Sequence, residues 1–200
     1  MSFWMTPNPN PKTLDDLLAN AIHYAEYCMR GTGNLMPTLF LIGHDGKQVM
    51  FMPQNLADTQ DKDNFANLSK LMAVATGATV AVMALEAWVK TAKVGEDFDP
   101  TEMPSEAFDR QECIVLMGES MSEGQKQQML PIIRSGNHKF FGFGDSIVEK
   151  MDKMEGRFSQ LLPAKLPDEN IRALAMAMLK VKCMANLKFD TTSRRFSSRH

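Results

Sequence analysis

Cysteine is scarce in this sequence of 200 residues, and its placement argues against two common kinds of small-domain architecture. The three cysteines, Cys28, Cys113 and Cys183, are far apart, odd in number and form no CxxC pair. This spacing argues against a disulfide framework and against a zinc knuckle. Each cysteine lies inside an apolar periodic run, so we expect buried free thiols in a reducing compartment.

Long hydrophobic runs are also missing. No stretch approaches about 18 uninterrupted apolar residues, so the sequence predicts no membrane span. The first residues, MSFWMTPNPNPKT, contain neither a basic region nor a long apolar segment. We therefore expect no signal peptide and a cytoplasmic protein.

The sequence has no excess charge of one sign and lacks the common ligand-binding motifs. Its formal net charge is −2, which argues against a strongly electrostatic nucleic-acid binder, since such a domain carries a basic surplus. Neither a GxxxxGK[ST] nor a GxGxxG motif occurs. The histidines, His23, His44, His138 and His200, share no spacing typical of zinc ligands. The sequence therefore predicts no catalytic residue, no metal site and no cofactor, and it identifies no cofactor-binding residue.

Apolar residues are present in sufficient number to build one core. They make up 44% of the chain, close to the ordinary value for a globular domain. The 17 methionines are unusual. Methionine fills irregular gaps in cores and also lines adaptable binding surfaces. Most of these methionines sit at periodic positions, which favours a role in the core.

The first part of the chain predicts a helix followed by a hairpin. Thr13 is a good N-cap, apolar residues recur at three- and four-residue spacing after it, and Gly31 ends the helix. Two β-rich runs follow, 38–42 and 48–52, joined by His44-Asp45-Gly46-Lys47. Asp-Gly between two apolar runs is typical of a hairpin turn. We regard His44 and Asp45 as turn residues rather than as a catalytic pair.

A second helix and two central strands come next. Asp61 or Asp63 is predicted to cap the helix, and Gly77 is predicted to end it. The runs 79–90 and 111–120 predict strands that are apolar on both faces, as in a strand covered by helices on both sides. Glu86 interrupts one of these faces, and we expect its carboxylate to be exposed, because unpaired buried carboxylates are rare.

The spacing of apolar and polar residues also predicts the remaining elements. The acidic connector 93–110 and the polar stretch 118–128 predict loops, and the runs 129–134 and 139–143 predict a hairpin. From Ser146 the spacing of apolar residues becomes helical and predicts a helix to about residue 162, followed by a last helix from Pro167 to about Leu187.

This order of elements predicts an α+β fold, with a mostly antiparallel sheet of about five strands flanked by helices and with a C-terminal helical pair. It divides the chain into an irregular N-terminal segment (1–12), a sheet domain (13–145), C-terminal helices packed on that domain (146–189) and a disordered basic tail (190–200). Across about residues 13–145 the layout resembles that of roadblock and profilin-like proteins. The resemblance implies a five-stranded antiparallel sheet between helices, and no site residue follows from it.

Three functional hypotheses remain open. The first is a non-enzymatic protein-interaction module that forms homodimers, suggested by the lack of catalytic motifs and the methionine-rich apolar surplus. The second is a small-ligand or nucleotide-binding protein with hydrolase activity that uses Glu86, Cys113 or the Gly142–Gly144 turn. This turn precedes the helix predicted from Ser146 and weakly resembles a phosphate loop, because a helix N-terminus binds anions. The third is weak nucleic-acid binding through Arg194, Arg195 and Arg199 of the tail.

We favour the first hypothesis. A protein partner or self-association is therefore the expected interaction, and binding to a membrane is not expected. The motif-poor, methionine-rich sequence also has the general character of phage or mobile-element proteins.

Overall fold

The computed structural model describes residues 7–53, 56–90, 106–108, 110–151 and 156–182, and it describes side chains for all of them except 148–151. Three helices and seven strands lie in these ranges. In chain order they are α1 (Leu14–Gly31), β1 (Thr38–Ile42), β2 (Gln48–Phe51), α2 (Thr59–Thr76), β3 (Val80–Val89), β4 (Gln111–Ser120), β5 (Gly124–Arg134), β6 (Phe140–Phe143), β7 (Ile147–Met151) and α3 (Glu169–Lys182).

The strands form one antiparallel sheet with β3 and β4 at its centre. The order from one edge is β2-β1-β3-β4-β5-β6, and β7 also pairs with β5. The central pair runs in register from Val80 opposite Ser120 to Val89 opposite Gln111. The predicted α+β class, the antiparallel sheet and the two central strands are confirmed, although the sheet has seven strands rather than about five.

Helix α1 covers one face of the sheet. Its predicted start is confirmed: the Thr13 side chain accepts the Asp16 backbone N–H, and the Asp16 carboxylate accepts the Thr13 backbone N–H. This reciprocal capping box pairs donors that a helix otherwise leaves unpaired. The side chains that meet on this face are Leu14, Leu17, Leu18, Ala21 and Ala25 of α1 with Phe40, Ile42, Val80, Val82, Ala84, Ile114, Leu116 and Leu130 of the sheet.

Gly118 of β4 allows the start of α1 to lie close to the sheet. A Cβ atom at this position would lie 2.8 Å from Cδ1 of Leu14 and 3.3 Å from the carbonyl oxygen of Lys126. Both distances are shorter than ordinary van der Waals contacts. A larger residue here would therefore require at least the Leu14 side chain to move.

Helices α2 and α3 cover the opposite face. The alternation of β3 confirms the predicted two-sided burial, because Val80 and Val82 face α1 whereas Ala81 and Met83 face α2 and α3. The second core also includes Leu161, a buried residue of the segment that precedes α3. Its buried members are Leu39, Leu41, Phe51, Phe65, Met72, Ala73, Ala75, Ala78, Ala81, Met83, Leu161, Ala175 and Leu179.

Helix α2 begins earlier than predicted. Its N-cap is Asp58, whose side chain accepts the backbone N–H of Asp61 at 2.7 Å. Asp61 in turn accepts the backbone N–H of Ala57 through its own carboxylate. The prediction that Asp61 or Asp63 caps the helix is therefore wrong by one turn, whereas the predicted end at Gly77 is confirmed by its left-handed φ of 59°.

The polar stretch 118–128 is mostly strand rather than loop. β4 continues to Ser120, a short turn follows, and β5 begins at Gly124. Gln125 to Met129 pair with β4 on one side and with β7 on the other. Strand pairing on both sides satisfies the backbone of this segment, so polar side chains do not prevent it from being a strand.

The helix predicted from Ser146 to about residue 162 is wrong. Residues Ile147–Met151 form strand β7, which pairs with β5, and residues 156–166 are irregular. The edge of β5 from Gln125 to Met129 offers unpaired backbone groups, and pairing with them outweighs a helical spacing of apolar residues. In the described part of the C-terminal region, α3 is therefore the one helix of the predicted pair that forms. Its predicted start at 167–169 is confirmed.

Several predicted features lie outside the described residues. These are residues 1–6, most of the acidic connector 93–110, Cys183, the predicted end of the last helix and the basic tail 190–200. Among the helices that the structure describes, none combines the length and the apolar character needed to cross a bilayer.

Candidate functional site

A pair of carboxylates lies where the α1 face of the sheet extends beyond the end of α1. Glu86 of β3 and Glu112 of β4 are diagonal neighbours, because Glu86 pairs with Ile114 and Glu112 pairs with Trp88. Arg134 of β5 donates from Nε to Oε2 of Glu112 at 2.7 Å and from Nη2 to Oε1 at 2.5 Å. The same Nη2 lies 3.9 Å from Oε1 of Glu86. The Arg134 guanidinium therefore lies close to both carboxylates.

The two carboxylates have opposite electrostatic environments. Partial burial raises the pKa of Glu86, and the nearby Glu112 carboxylate raises this pKa further. The hydrogen bonds from Arg134 lower the pKa of Glu112, because they favour its ionised form. As the pH falls, Glu86 is therefore protonated before Glu112.

The same cluster anchors the segment that leaves α1. The backbone N–H of Leu35 donates to Oε2 of Glu86 at 3.1 Å. Both terminal nitrogens of Arg134 lie 3.4 Å from the carbonyl oxygen of Gly33. The expected exposure of Glu86 is therefore wrong: its side chain is 26% exposed and has partners on the backbone and on Arg134.

An aromatic residue, Trp88, and a cationic residue, Arg110, lie beside this cluster. The Arg110 guanidinium lies 4.7 Å above the ring of half-exposed Trp88, which is directly opposite Glu112 on the neighbouring strand. A cation over an indole face is favourable. Chemically, the arrangement can hold one proton at Glu86. Its other charges are engaged with each other, which is the pattern of a structural ion-pair network.

The residues proposed for a small-ligand site do not converge. Cys113 is buried on the opposite face of the sheet from Glu86, and burial raises the pKa of its thiol. Gly142 lies inside β6, and the Gly144 backbone N–H donates to the carbonyl oxygen of Pro131. Because β7 follows this turn, no helix N-terminus is available there for a phosphate. The phosphate-loop hypothesis is wrong.

The turn at His44 is explained by its own hydrogen bonds. Asp45 accepts the backbone N–H of Lys47 and pairs with its ammonium group at 2.7 Å, which lowers the pKa of Asp45. His44 Nδ1 lies 3.0 Å from the carbonyl oxygen of Thr76. A shallow cavity of about 180 Å³ opens beside these residues. The predicted hairpin turn is confirmed.

The predicted free thiols are confirmed in part. Cys113 is buried, whereas Cys28 is only half-buried, and both are free. Burial raises the pKa of each thiol. Neither is therefore an activated nucleophile, since that role requires a lowered thiol pKa.

Glu119 is a buried carboxylate that the sequence motifs do not identify. Its side chain is buried, and Oε2 accepts the backbone N–H groups of Leu161 and Leu162 at 3.0 and 3.3 Å. These bonds hold the segment before α3 against the sheet. Oε1 has no hydrogen-bond partner within the described part of the chain. The sequence signal for such a residue is an acidic side chain at the end of an apolar strand, where it alternates with buried positions.

The outer face of α3 is the largest group of neighbouring exposed apolar side chains on one helix. Its four members are Ile171, Leu174, Met178 and Val181, with exposures of 50%, 63%, 44% and 69%. We call these four residues the α3 stripe. The side of the helix next to the stripe is buried through Ala175 and Leu179. Exposed apolar patches of this kind typically mark interaction sites.

The chain offers no constellation for metal binding among the residues described, since no group of three or more His, Cys, Asp or Glu side chains is placed to hold an ion. No family model matches the sequence, and no curated protein or solved structure shows significant similarity to it.

Proposed function

We propose that this protein is a non-enzymatic protein-interaction module that binds an apolar helix of its partner on the α3 stripe. The observation that supports this proposal is the exposure of four large apolar side chains at spacings of three, four and three residues. This is the spacing of a helix–helix seam, in which each side chain packs between residues of the facing helix. A solvated helix normally presents polar side chains on its outer face.

The second support is that α3 is firmly held on its inner side. Ala175 and Leu179 belong to the core between α3, α2 and the sheet. Asp168 accepts the backbone N–H of Ile171 at 2.9 Å and so caps the first turn. A rigid platform lowers the entropy lost when a partner binds.

The proposal is tested by selecting binders from a displayed library of amphipathic helical peptides and titrating purified binders against three proteins. These are the wild type, Leu174→Glu and Ala173→Glu. Leu174→Glu places a charge in the stripe and should weaken binding by at least about tenfold, because an unpaired charge is costly to desolvate. Ala173 is also exposed but lies on another side of α3, so its substitution controls for added charge and for helix propensity.

Binding lost in Leu174→Glu and retained in Ala173→Glu is the expected result. Binders that tolerate both substitutions equally, or a library that yields no binder, would overturn the proposed role of the stripe.

A further inference from the structure

The sequence of the α3 stripe is self-complementary. Its outer members, Ile171 and Val181, are both β-branched, and its inner members, Leu174 and Met178, are both unbranched at Cβ. The two halves are symmetric about position 176. When two copies of α3 are placed antiparallel around a two-fold axis at this position, Ile171 meets Val181 of the other copy and Leu174 meets Met178. Such isologous pairing is how two identical surfaces associate.

The charges that flank the stripe are centred at position 175, one residue from the centre of the stripe. Asp168 precedes the helix and Lys182 is its last residue, and both are exposed. They lie two heptads apart on the same flank of the stripe. In an antiparallel pair this flank faces its own copy, so each Asp168 lies beside the Lys182 of the other molecule. In a parallel pair the two residues are separated by about 21 Å along the axis, given a rise of 1.5 Å per residue.

A small side chain and the helix dipoles favour the same arrangement. Ala177 is exposed on the other flank of the stripe, so it offers no steric obstacle to a close neighbour. Antiparallel helices place the positive end of one dipole beside the negative end of the other.

From these observations we infer that the partner bound by the α3 stripe is a second copy of this chain, with the two α3 helices antiparallel. The inference rests on the proposed function and names its partner. One short helix pair buries less area than a standard interface of about 800 Å² per partner, so the dimer is expected to be weak and to dissociate on dilution.

The first experiment is sedimentation velocity on the full chain between about 1 and 100 µM, the range in which a weak dimer changes its population. The wild type and Ala173→Glu should shift from monomer to dimer, whereas Leu174→Glu should remain monomeric, with a dissociation constant at least about tenfold higher. A wild type that stays monomeric throughout overturns the inference. The proposed function then still stands if peptide binding depends on Leu174, and it fails if that binding is also absent.

The second experiment tests the orientation of the two helices. Lys182→Glu should weaken the dimer by about twofold to fivefold, the range for an exposed ion pair, because it places two carboxylates side by side. Adding Asp168→Asn should restore most of this loss, since asparagine keeps the helix cap but removes the repulsion. A dimer in which Asp168→Asn gives no such rescue contradicts the antiparallel arrangement, even if Leu174→Glu dissociates it.

Discussion

Helices α1 and α3 pack on opposite faces of the sheet and differ in how their apolar residues are arranged. α1 carries one broad apolar face, and five of its apolar residues, from Leu14 to Ala25, are buried against the sheet. α3 buries Ala175 and Leu179 but leaves the four residues of the stripe exposed. The two helices are similar in apolar content along these faces, so the difference lies in what covers them.

This difference shows why an apolar helical face does not by itself identify a core. Apolar surface has a favourable free energy of burial of about 25 cal/mol per Å², whether the covering surface belongs to the same chain or to another. α1 finds enough surface on the sheet for its whole apolar face. α3 has apolar residues on two sides, and the sheet with α2 covers only one of them.

The largest expected effects come from the same substitution at three leucines. Leu17→Ala in α1 and Leu179→Ala in α3 should each lower the free energy of unfolding by about 2–5 kcal/mol, because both side chains are fully buried. Leu174→Ala should change it by less than about 0.5 kcal/mol, because that side chain is exposed. Urea denaturation at low protein concentration measures all three values. A large loss for Leu174→Ala would show that the stripe is covered within its own molecule.

The second prediction concerns the carboxylate cluster that anchors the segment after α1. Glu112→Gln should lower the free energy of unfolding at neutral pH by about 1–2 kcal/mol, because it weakens the two charged hydrogen bonds to Arg134. Arg134 also contacts the carbonyl of Gly33, so amide exchange after α1 should increase in this variant. Exchange in α3 serves as the internal control. Equal acceleration in both regions would mean a global rather than a local effect.

The smallest effect is expected from Glu86→Gln, and its sign depends on pH. The pKa of Glu86 in the folded protein lies above its ordinary value of 4.5. Its favourable contribution to stability is therefore fully present below pH 4.5 and is lost as the pH rises through the folded pKa. Glutamine does not titrate in this range and keeps a carbonyl oxygen for the Leu35 N–H. Glu86→Gln should consequently gain stability relative to wild type as the pH rises above 4.5.

The matched control for this titration is Glu112→Gln. The pKa of Glu112 is lowered in the folded protein, so its contribution to stability is present above pH 4.5 and is lost as the pH falls. As the pH rises, Glu112→Gln should therefore lose stability relative to wild type below pH 4.5, whereas Glu86→Gln should gain it above pH 4.5. Parallel pH profiles would contradict the assignment of opposite environments to the two carboxylates.

Local sequence patterns predicted the elements whose stability is local or whose two faces are both covered. The N-cap at Thr13 and the glycine at 77 act within one turn of the chain, so short-range reasoning identifies them. The central strands were predicted because their continuous apolar character is typical of strands buried on both sides. Neither inference requires knowledge of distant residues.

The failed predictions share a different physical cause. Gln125 to Gln128 are polar, and their strand conformation depends on pairing with both β4 and β7. Ile147 and Met151 fit a helical spacing, but the open edge of β5 determines their conformation. Likewise, Glu86 has partners at Leu35 and Arg134, which lie about 50 residues away on each side in sequence. A periodic pattern of apolar residues contains no information on backbone pairing or ion pairing between residues so far apart in sequence.

The amino-acid sequence by itself determined which surfaces are apolar: the faces of α1 and α3 and both faces of β3 and β4. Burial of these surfaces is favourable. Only the tertiary structure decided which of these surfaces the chain covers for itself. α1 has one face of the sheet to itself, whereas α3 shares the other face with α2, packs through one side and leaves Ile171, Leu174, Met178 and Val181 exposed.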